Sequence, residues 1–383
     1  MKIAFMSQPW EGTLPPASAV PIWIYQVARR LAAKSNEVTV YAKRKDHQSH
    51  IEEDKGVTYR LSDRTLDERL LPVTSLADRF LPVDHPVTTT FLYYPFYGRS
   101  CARDAYQQGY DVVHMLNFSQ YIPVVRRFHP TAKIVLHMQC DWLGFHDQRA
   151  QEKRLRQADL IIGTTDYITN NIRHRFPSCA DRCHTIFNGV DVEKFTRQEQ
   201  QAEHTETDTN TDSAPKRLLF VGRVSPERGI HVLLKAFEKV VAAYPNVHLD
   251  IVGPPWVAPL RMIGFDTDQR FLDSIKPFYD GRGYQTHLDE MITPEMRDKI
   301  SFVGFVANED LPAYYRRADI FVYPSVWYEA FGIPLAEAMA AKTPPISSTI
   351  GGIPEVVEHG KTGLCVSPGD ADELADALLT LLQ

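Results

Sequence analysis

Over the first 190 residues, short apolar runs alternate with segments of helical spacing. Lys2–Ser7 is a short apolar run at the very start of the chain, as a first central strand would be. Ala17–Lys34 carries Ile22, Val27, Ala28 and Leu31 at roughly helical intervals, which predicts a helix. Val38–Ala42, Asp111–Met115, Lys133–His137 and Asp159–Gly163 read as further strands, with helices predicted at Gln120–Phe128, Gln148–Gln157 and Tyr167–Arg175. Apolar strands separated by helices imply a parallel sheet covered on both faces. Residues 64–100 break this rhythm with Pro72, Pro82, Pro86, Pro95 and the run Phe91-Leu-Tyr-Tyr-Pro-Phe-Tyr97. They predict an irregular excursion that buries its aromatics, walls an acceptor site or touches a membrane.

The stretch 196–216 is polar and acidic, nearly devoid of hydrophobic residues, and reads as a linker or disordered loop. A second alternating set follows. Strands are predicted at Arg217–Arg223, Val247–Gly253, Ile300–Gly304, Ile320–Tyr323 and Pro345–Ser347, and helices at Glu227–Ala243, Glu309–Arg317, Ile333–Ala341 and Ala371–Leu382. The chain is therefore predicted to be α/β: a Rossmann-like doubly wound domain over 1–195, the linker 196–216, and a second such domain over 217–383. Ligands in such sheets bind beyond the carboxyl ends of the strands. With two of them, a central cleft is the expected site. The aromatic and charged segment between Gly253 and Lys299 follows a strand's carboxyl end, so it either selects donor or acceptor near the crevice or decorates the surface.

Composition narrows the class. The 383 residues are 44% hydrophobic and 23% charged, which suits a soluble globular protein with two cores. A net charge of −6 argues against a dedicated nucleic-acid binder. That charge is uneven: residues 1–190 carry a net +5 and the remainder −11. A basic first half suits an anionic ligand or surface, or reflects two solvated faces of different composition. Five scattered cysteines read as free thiols of a reducing compartment, and Cys179 and Cys183 lack the second pair a zinc site needs. No signal-peptide run or 18-residue apolar stretch occurs, so the expected location is the cytoplasm, with the inner face of the membrane as an alternative.

The candidate chemistry lies in two clusters. The nicotinamide and Walker fingerprints are missing, as are G-x-S-x-G and H-E-x-x-H. Instead, a strand ends at Tyr323-Pro-Ser325, a loop carries Glu329, and a helix opens at Gly332-Ile333-Pro334 and carries Glu337. A helix start beyond a strand end presents free N–H groups and a positive dipole end to an anion. The two carboxylates either accept hydroxyl protons of a sugar or ribose, or are a surface acid and a helix-dipole acid. In the second cluster, Arg223 and Arg228 flank a strand-to-helix turn within Phe220-Val-Gly-Arg-Val-Ser-Pro-Glu-Arg-Gly-Ile230. They would clamp a diphosphate bidentately, or be solvated loop arginines. Asp370-Ala371-Asp372 is formally D-x-D, but its place before the last helix predicts a cap rather than a metal site.

Together these clusters resemble the nucleotide-binding domain of retaining GT-B glycosyltransferases, family four in particular. Glu329 and Glu337 match the family's E-x7-E motif, and Gly222-Arg223 with Arg228-Gly229 match its G-R…K-G element, with Arg in place of Lys. Asn188-Gly-Val-Asp191 with Phe195 looks like the N-G-V-D…F stretch that closes the first domain. Val303-Gly304-Phe305 is similar to the strand whose backbone meets the nucleobase. Gly351-Gly-Ile-Pro-Glu355 and Gly360-Lys-Thr-Gly363 resemble the downstream signature. In the first domain His137 matches the family's histidine facing the donor sugar. Gly12 and Thr13 stand where the family has a Gly-Gly pair, in a loop stiffened by Pro15 and Pro16. Chains of the family usually continue beyond the position of Gln383 into a helix that crosses back to the first domain.

The resemblance implies transfer of a hexosyl group from a nucleoside diphosphate sugar, UDP favoured, to a hydroxyl of a glycan, glycolipid or small metabolite. It also implies retention of configuration, no metal and no cofactor. In that scheme Arg223 and Arg228 neutralise the leaving diphosphate. Glu337 holds ribose hydroxyls, and Glu329 with the backbone of Phe331, Gly332 and Ile333 holds the donor sugar. His137 orients that sugar, Gly222, Gly304 and Phe305 contact the nucleotide, and Gly12 and Thr13 approach it from the first domain. The rival readings are a GT-B sugar-nucleotide 2-epimerase, which needs no acceptor, and a non-catalytic nucleotide-sugar-binding subunit.

Overall fold

The computed structural model of the chain describes residues 1–16, 18–77, 87–145, 147–196, 214–263 and 269–383. It forms two compact units, Met1–Asn188 and Gly189–Gln383. Residues 197–213, most of the predicted linker, lie outside the described residues, as do Pro82 and Pro86.

The first unit is one eight-stranded sheet. Its strands are β1 (Lys2–Met6), β2 (Glu37–Lys43), β3 (Ile51–Asp54), β4 (Val57–Ser62), β5 (Val112–Leu116), β6 (Lys133–Met138), β7 (Leu160–Gly163) and β8 (Cys183–Thr185). Their order is β3-β4-β2-β1-β5-β6-β7-β8, and only the β3–β4 pair is antiparallel. Without β3 and β8 this is the 3-2-1-4-5-6 order of the dinucleotide-binding fold. The helices that matter below are α1 (Ala19–Ala33), α2 (Thr65–Ala77), α3 (Pro95–Gln108), α4 (Ile122–Phe128), α5 (Gln148–Leu155) and α6 (Asp166–Arg175). β1 is apolar because it is central and covered on both faces: Ala4, Phe5 and Met6 are all buried. α1 turns Ile24 and Ala28 into the core beside Val38, Val40 and Tyr59.

The second unit repeats the topology. β9 (Lys216–Val221), β10 (Val247–Val252), β11 (Ile300–Gly304), β12 (Ile320–Tyr323), β13 (Pro345–Ser348) and β14 (Leu364–Val366) lie in the order β11-β10-β9-β12-β13-β14, all parallel. Its helices include α7 (Val192–Thr196), α8 (Ile230–Ala243), α9 (Gln269–Ile275), α10 (Tyr284–Met291), α11 (Leu311–Arg317), α12 (Ile333–Ala340) and α13 (Ala371–Leu382). Asp370 caps α13, its carboxylate accepting the N–H groups of Asp372 (3.0 Å) and Glu373 (2.9 Å). The formal D-x-D is thus a helix start.

Two expectations need correction. The first compact unit ends at 188, not 195. Phe195 of α7 is an apolar anchor of the second core, 5.6 Å from the Tyr315 ring, and Lys194 donates to the Asn308 carbonyl (2.6 Å). The described part of 64–100 is not irregular throughout: α2 and the start of α3 occupy most of it. The Asp67 carboxylate accepts the N–H groups of Phe96 and Tyr97, both at 2.9 Å, and so caps α3 from α2. Pro95 sits in the first turn of α3, where a missing N–H costs nothing. The aromatics there divide: Tyr94 and Tyr97 are buried, whereas Phe91, Leu92 and Phe96 are exposed. Among the described residues no helix is long and apolar enough to cross a membrane.

Candidate active site

In a sheet of this order the strand sequence switches sides between β9 and β12, and the loops after those two strands open a crevice at their carboxyl ends. Both sequence clusters fall there. After β9 come Gly222, Arg223, Glu227 and Arg228; after β12 come Ser325, Glu329 and Gly332. The loops are bonded to each other, with Val326 N–H and the Ser325 hydroxyl both donating to the Glu227 carbonyl (3.1 and 3.3 Å). Gly229 has φ +72°, and a Cβ there would stand 1.9 Å from the Pro324 carbonyl oxygen. Only glycine permits that approach.

The charged side chains interlock. Arg228 is ion-paired to Glu329 and donates to the Tyr323 hydroxyl (2.5 Å). Glu329 also accepts from Ser325 Oγ (3.1 Å). Burial works against the Arg228 charge, but Glu329, Tyr323 and Glu227 together hold its guanidinium above the ordinary value. Arg223 is half-exposed; it lies over the Trp256 ring (4.6 Å) and pairs with buried Glu227 (3.2 Å). Burial and the neighbouring Arg228 lower its pKa. Two polar atoms here are buried without a hydrogen bond, Glu227 Oε2 and Arg228 Nε.

α12 begins at Gly332, whose φ of +80° makes the left-handed entry to the helix. The N–H groups of Phe331, Gly332 and Ile333 make no hydrogen bond to any described residue, which leaves three donors available at a helix start. Gly351 and Gly352 support this loop from behind. Gly352 N–H donates to the Glu329 carbonyl (2.7 Å), and a Cβ on Gly351 would lie 2.3 Å from the same oxygen. Glu337, on the second turn of α12, is buried and accepts from the Tyr315 hydroxyl (2.8 Å). Burial pushes its carboxyl up to about 7, against the lowering effect of Tyr315 and Lys194. Gly304 ends β11 with φ +79°, its carbonyl taking Gly253 N–H (2.8 Å), and Phe305 is exposed.

The first unit carries its own set at the carboxyl ends of β1, β5 and β6. His137 is buried at the end of β6 with both ring nitrogens engaged. Nδ1 faces His114 Nε2 (3.2 Å), Nε2 faces the Gln139 amide (3.3 Å), and the Trp23 ring stands edge-on at 4.6 Å. Burial, and then His114, hold its pKa well below the ordinary value, so the ring is neutral. Gln139 in turn exchanges hydrogen bonds with Asn188, which explains the asparagine of the N-G-V-D stretch as the last residue of this unit. In the loop after β1, Thr13 is fully buried with its hydroxyl unpartnered, and a Cβ on Gly12 would meet Lys45 Cε at 3.2 Å. Glu11 accepts from the Ser18 hydroxyl (2.7 Å) and is pushed up to about 7 by burial.

Sequence reading missed Ser325, Glu227, Trp256, Tyr315 and His114. Ser225-Pro226-Glu227 sits inside the quoted motif, so Glu227 had a signal; Trp256, Tyr315 and His114 reach their partners only through the fold.

Comparison with known proteins follows the same division. Residues 20–194 match the family described as Glycosyltransferase Family 4, and residues 201–383 match Glycosyl transferases group 1. The chain belongs to glycosyltransferase family 4. Spore coat protein SA of Bacillus subtilis (strain 168) is 27% identical over 354 residues, 91% of this chain and 80% of that protein. Sucrose-phosphate synthase from Thermosynechococcus elongatus aligns with the whole chain at a TM-score of 0.69 and 20% identity, covering 89% of that chain. Anabaena HepE, solved in complex with UDP and glucose, aligns with the whole chain at 0.63 and 19%, covering 90% of that chain. This family 4 enzyme is therefore a hexosyltransferase of GT-B fold, and the match lends no support to an epimerase or a non-catalytic subunit.

Proposed function

We propose that the enzyme transfers a hexosyl group from a nucleoside diphosphate sugar, UDP favoured, to a hydroxyl acceptor with retention of configuration. The observation that carries this reading is the row of three N–H groups, at Phe331, Gly332 and Ile333, that bond to no described residue. They flank the Arg228–Glu329 pair at the point where strand order reverses. The UDP and glucose held by the HepE structure, whose fold this chain shares, support the choice of donor.

In this scheme Arg223 takes the diphosphate bidentately, being the more exposed arginine, and Arg228 adds its charge from behind. The α12 N–H groups and Glu329 hold the sugar, and Glu337 accepts from the ribose hydroxyls. Gly222, Gly304 and Phe305 line the nucleotide. His137 orients the sugar as a neutral ring whose Nε2 exchanges the Gln139 amide for a sugar hydroxyl, with Gly12 and Thr13 on the same side of the reaction. The bond from the anomeric carbon to the β-phosphate oxygen breaks, and the acceptor oxygen bonds to that carbon on the same face. The acceptor's proton passes to the departing phosphate oxygen. Fixed positive groups where that phosphate gains charge lower the barrier. No metal is required, and the acceptor is a glycan, a lipid-linked sugar or a small metabolite, met in the cytoplasm or at the inner face of the membrane.

Calorimetric titration with UDP, GDP and ADP, with and without magnesium, tests the reading. Micromolar binding of UDP alone, independent of magnesium and weakened at least tenfold in Arg223→Ala, is expected. Binding of none of the three, or unchanged binding in the variant, would refute it.

A further inference from the structure

The first unit holds a cavity of about 520 Å³ that the donor scheme leaves unused. It opens between α3 and α4 and is walled by Phe91, Val124 and Phe128. Three arginines line it, Arg99, Arg127 and Arg154. None of the three makes an ion pair with a described carboxylate, although the Asp147 charge acts on Arg154 through space; Arg99 lies over the Phe128 ring (5.6 Å), and half-buried Arg154 donates to the Thr89 carbonyl (2.6 Å). Three arginines around one partly apolar hollow offer charge-assisted donors that a shared anion would engage. The floor is fixed: Tyr121 is buried, its hydroxyl donates to the Tyr93 carbonyl (2.9 Å), and Gly98 alone lets α3 lie against its ring. Beside the opening, Phe91, Leu92 and Phe96, just before and at the start of α3, are 60%, 48% and 49% exposed, an unusual cost for three large apolar side chains so close in the chain.

Charge and apolar wall call for different parts of one ligand. An inorganic anion would leave the phenylalanines wet, and a neutral hydrocarbon would leave the guanidiniums unpaired. The volume falls within the roughly 300–1,000 Å³ typical of small-molecule sites. We infer that this cavity binds an anionic amphiphile, a phosphate or carboxylate joined to an apolar chain, with the anion on Arg99, Arg127 and Arg154 and the chain along Phe91, Val124 and Phe128. Its residues are none of those assigned to the donor, so the two readings stand or fall separately.

Calorimetry with octyl phosphate, octanol and inorganic phosphate tests the site. Saturable one-to-one binding of octyl phosphate is expected, with octanol and inorganic phosphate at least tenfold weaker. The double variant Arg99→Gln/Arg127→Gln removes two exposed charges and should weaken octyl phosphate at least tenfold. Val124→Trp fills the hollow with the charges intact and should do the same. UDP affinity should be unchanged in both. No saturable binding, equal binding of inorganic phosphate, or an affinity unmoved in both variants would overturn the inference. Flotation with phosphatidylglycerol vesicles but not phosphatidylcholine, lost in the double variant, would identify the amphiphile as a bilayer lipid; octyl phosphate binding without flotation would identify it as a free one.

Discussion

Glu337 is buried with the Tyr315 hydroxyl on one oxygen, and burial pushes its carboxyl up to about 7 against the lowering effect of Tyr315 and Lys194. The shift has two consequences of opposite sense. In the free enzyme the proton is held more tightly folded than unfolded. The group's contribution to stability is therefore complete below about 4.5 and is lost as pH rises through about 7. Ribose hydroxyls donating to the carboxylate favour the charged form, so nucleotide binding must expel the proton at lower pH. UDP affinity should therefore rise roughly tenfold per pH unit below about 7 and level off above it. Calorimetry between pH 5.5 and 8.5, in buffers of different ionisation enthalpy, would also read the released proton. Glu337→Gln should flatten the profile; a slope that survives the substitution would remove Glu337 from the nucleotide site. At this scale the motif spacing made Arg223, Arg228, Glu329 and Glu337 visible, because charged residues at a strand end and a helix start are a local pattern. Tyr315, Trp256 and His114 were not visible, since each acts on a residue far from it in the chain.

Among elements, the loop between β12 and α12 shows how backbone fit sets the site. Gly351 and Gly360 both have positive φ, +59° and +75°, and alanine at either pays the left-handed strain of about 1–2 kcal/mol. They differ in surroundings. A Cβ at Gly360 meets nothing within 4 Å, whereas one at Gly351 would meet the Glu329 carbonyl oxygen at 2.3 Å. Overpacking of that kind adds roughly 1–3 kcal/mol and shifts the Glu329 backbone. Gly360→Ala should therefore lower Tm by about 2–6 °C with nucleotide affinity intact. Gly351→Ala should lower it further and weaken UDP at least tenfold. Thermal melts and titrations of the two variants check this, and equal effects on UDP would show that the loop is not what Gly351 supports. Most strands and helices were legible as alternating apolar runs. Some that were not have physical reasons: β3 is a polar edge strand, Ile-Glu-Glu-Asp, β8 and β14 have three residues each, and the prolines of 64–100 look like breakers until Pro95 is seen to open α3; β4 was missed although its apolar and polar positions alternate.

For the molecule as a whole, each unit carries a 3-2-1-4-5-6 run of strands and hence its own reversal point, one basic and one acidic by composition. An acidic unit that binds a diphosphate cannot rely on its overall field and must supply donors locally. Arg223 and Arg228 face Glu227 and Glu329, two cations against two anions, so the uncompensated positive character lies in the backbone of the α12 start. Hydrogen exchange on the intact enzyme can read that directly. Without nucleotide, the amides of Phe331, Gly332 and Ile333 have no acceptor among the described residues and should exchange near the unprotected rate. Saturating UDP should slow them, together with the 222–229 segment. The β1–α1 loop, with Gly12 and Thr13, should not change until the sugar and acceptor are also present. Protection that appears in the β1–α1 loop with UDP alone, and not at the α12 start, would move the diphosphate out of the second unit and overturn the assignment of its positive end.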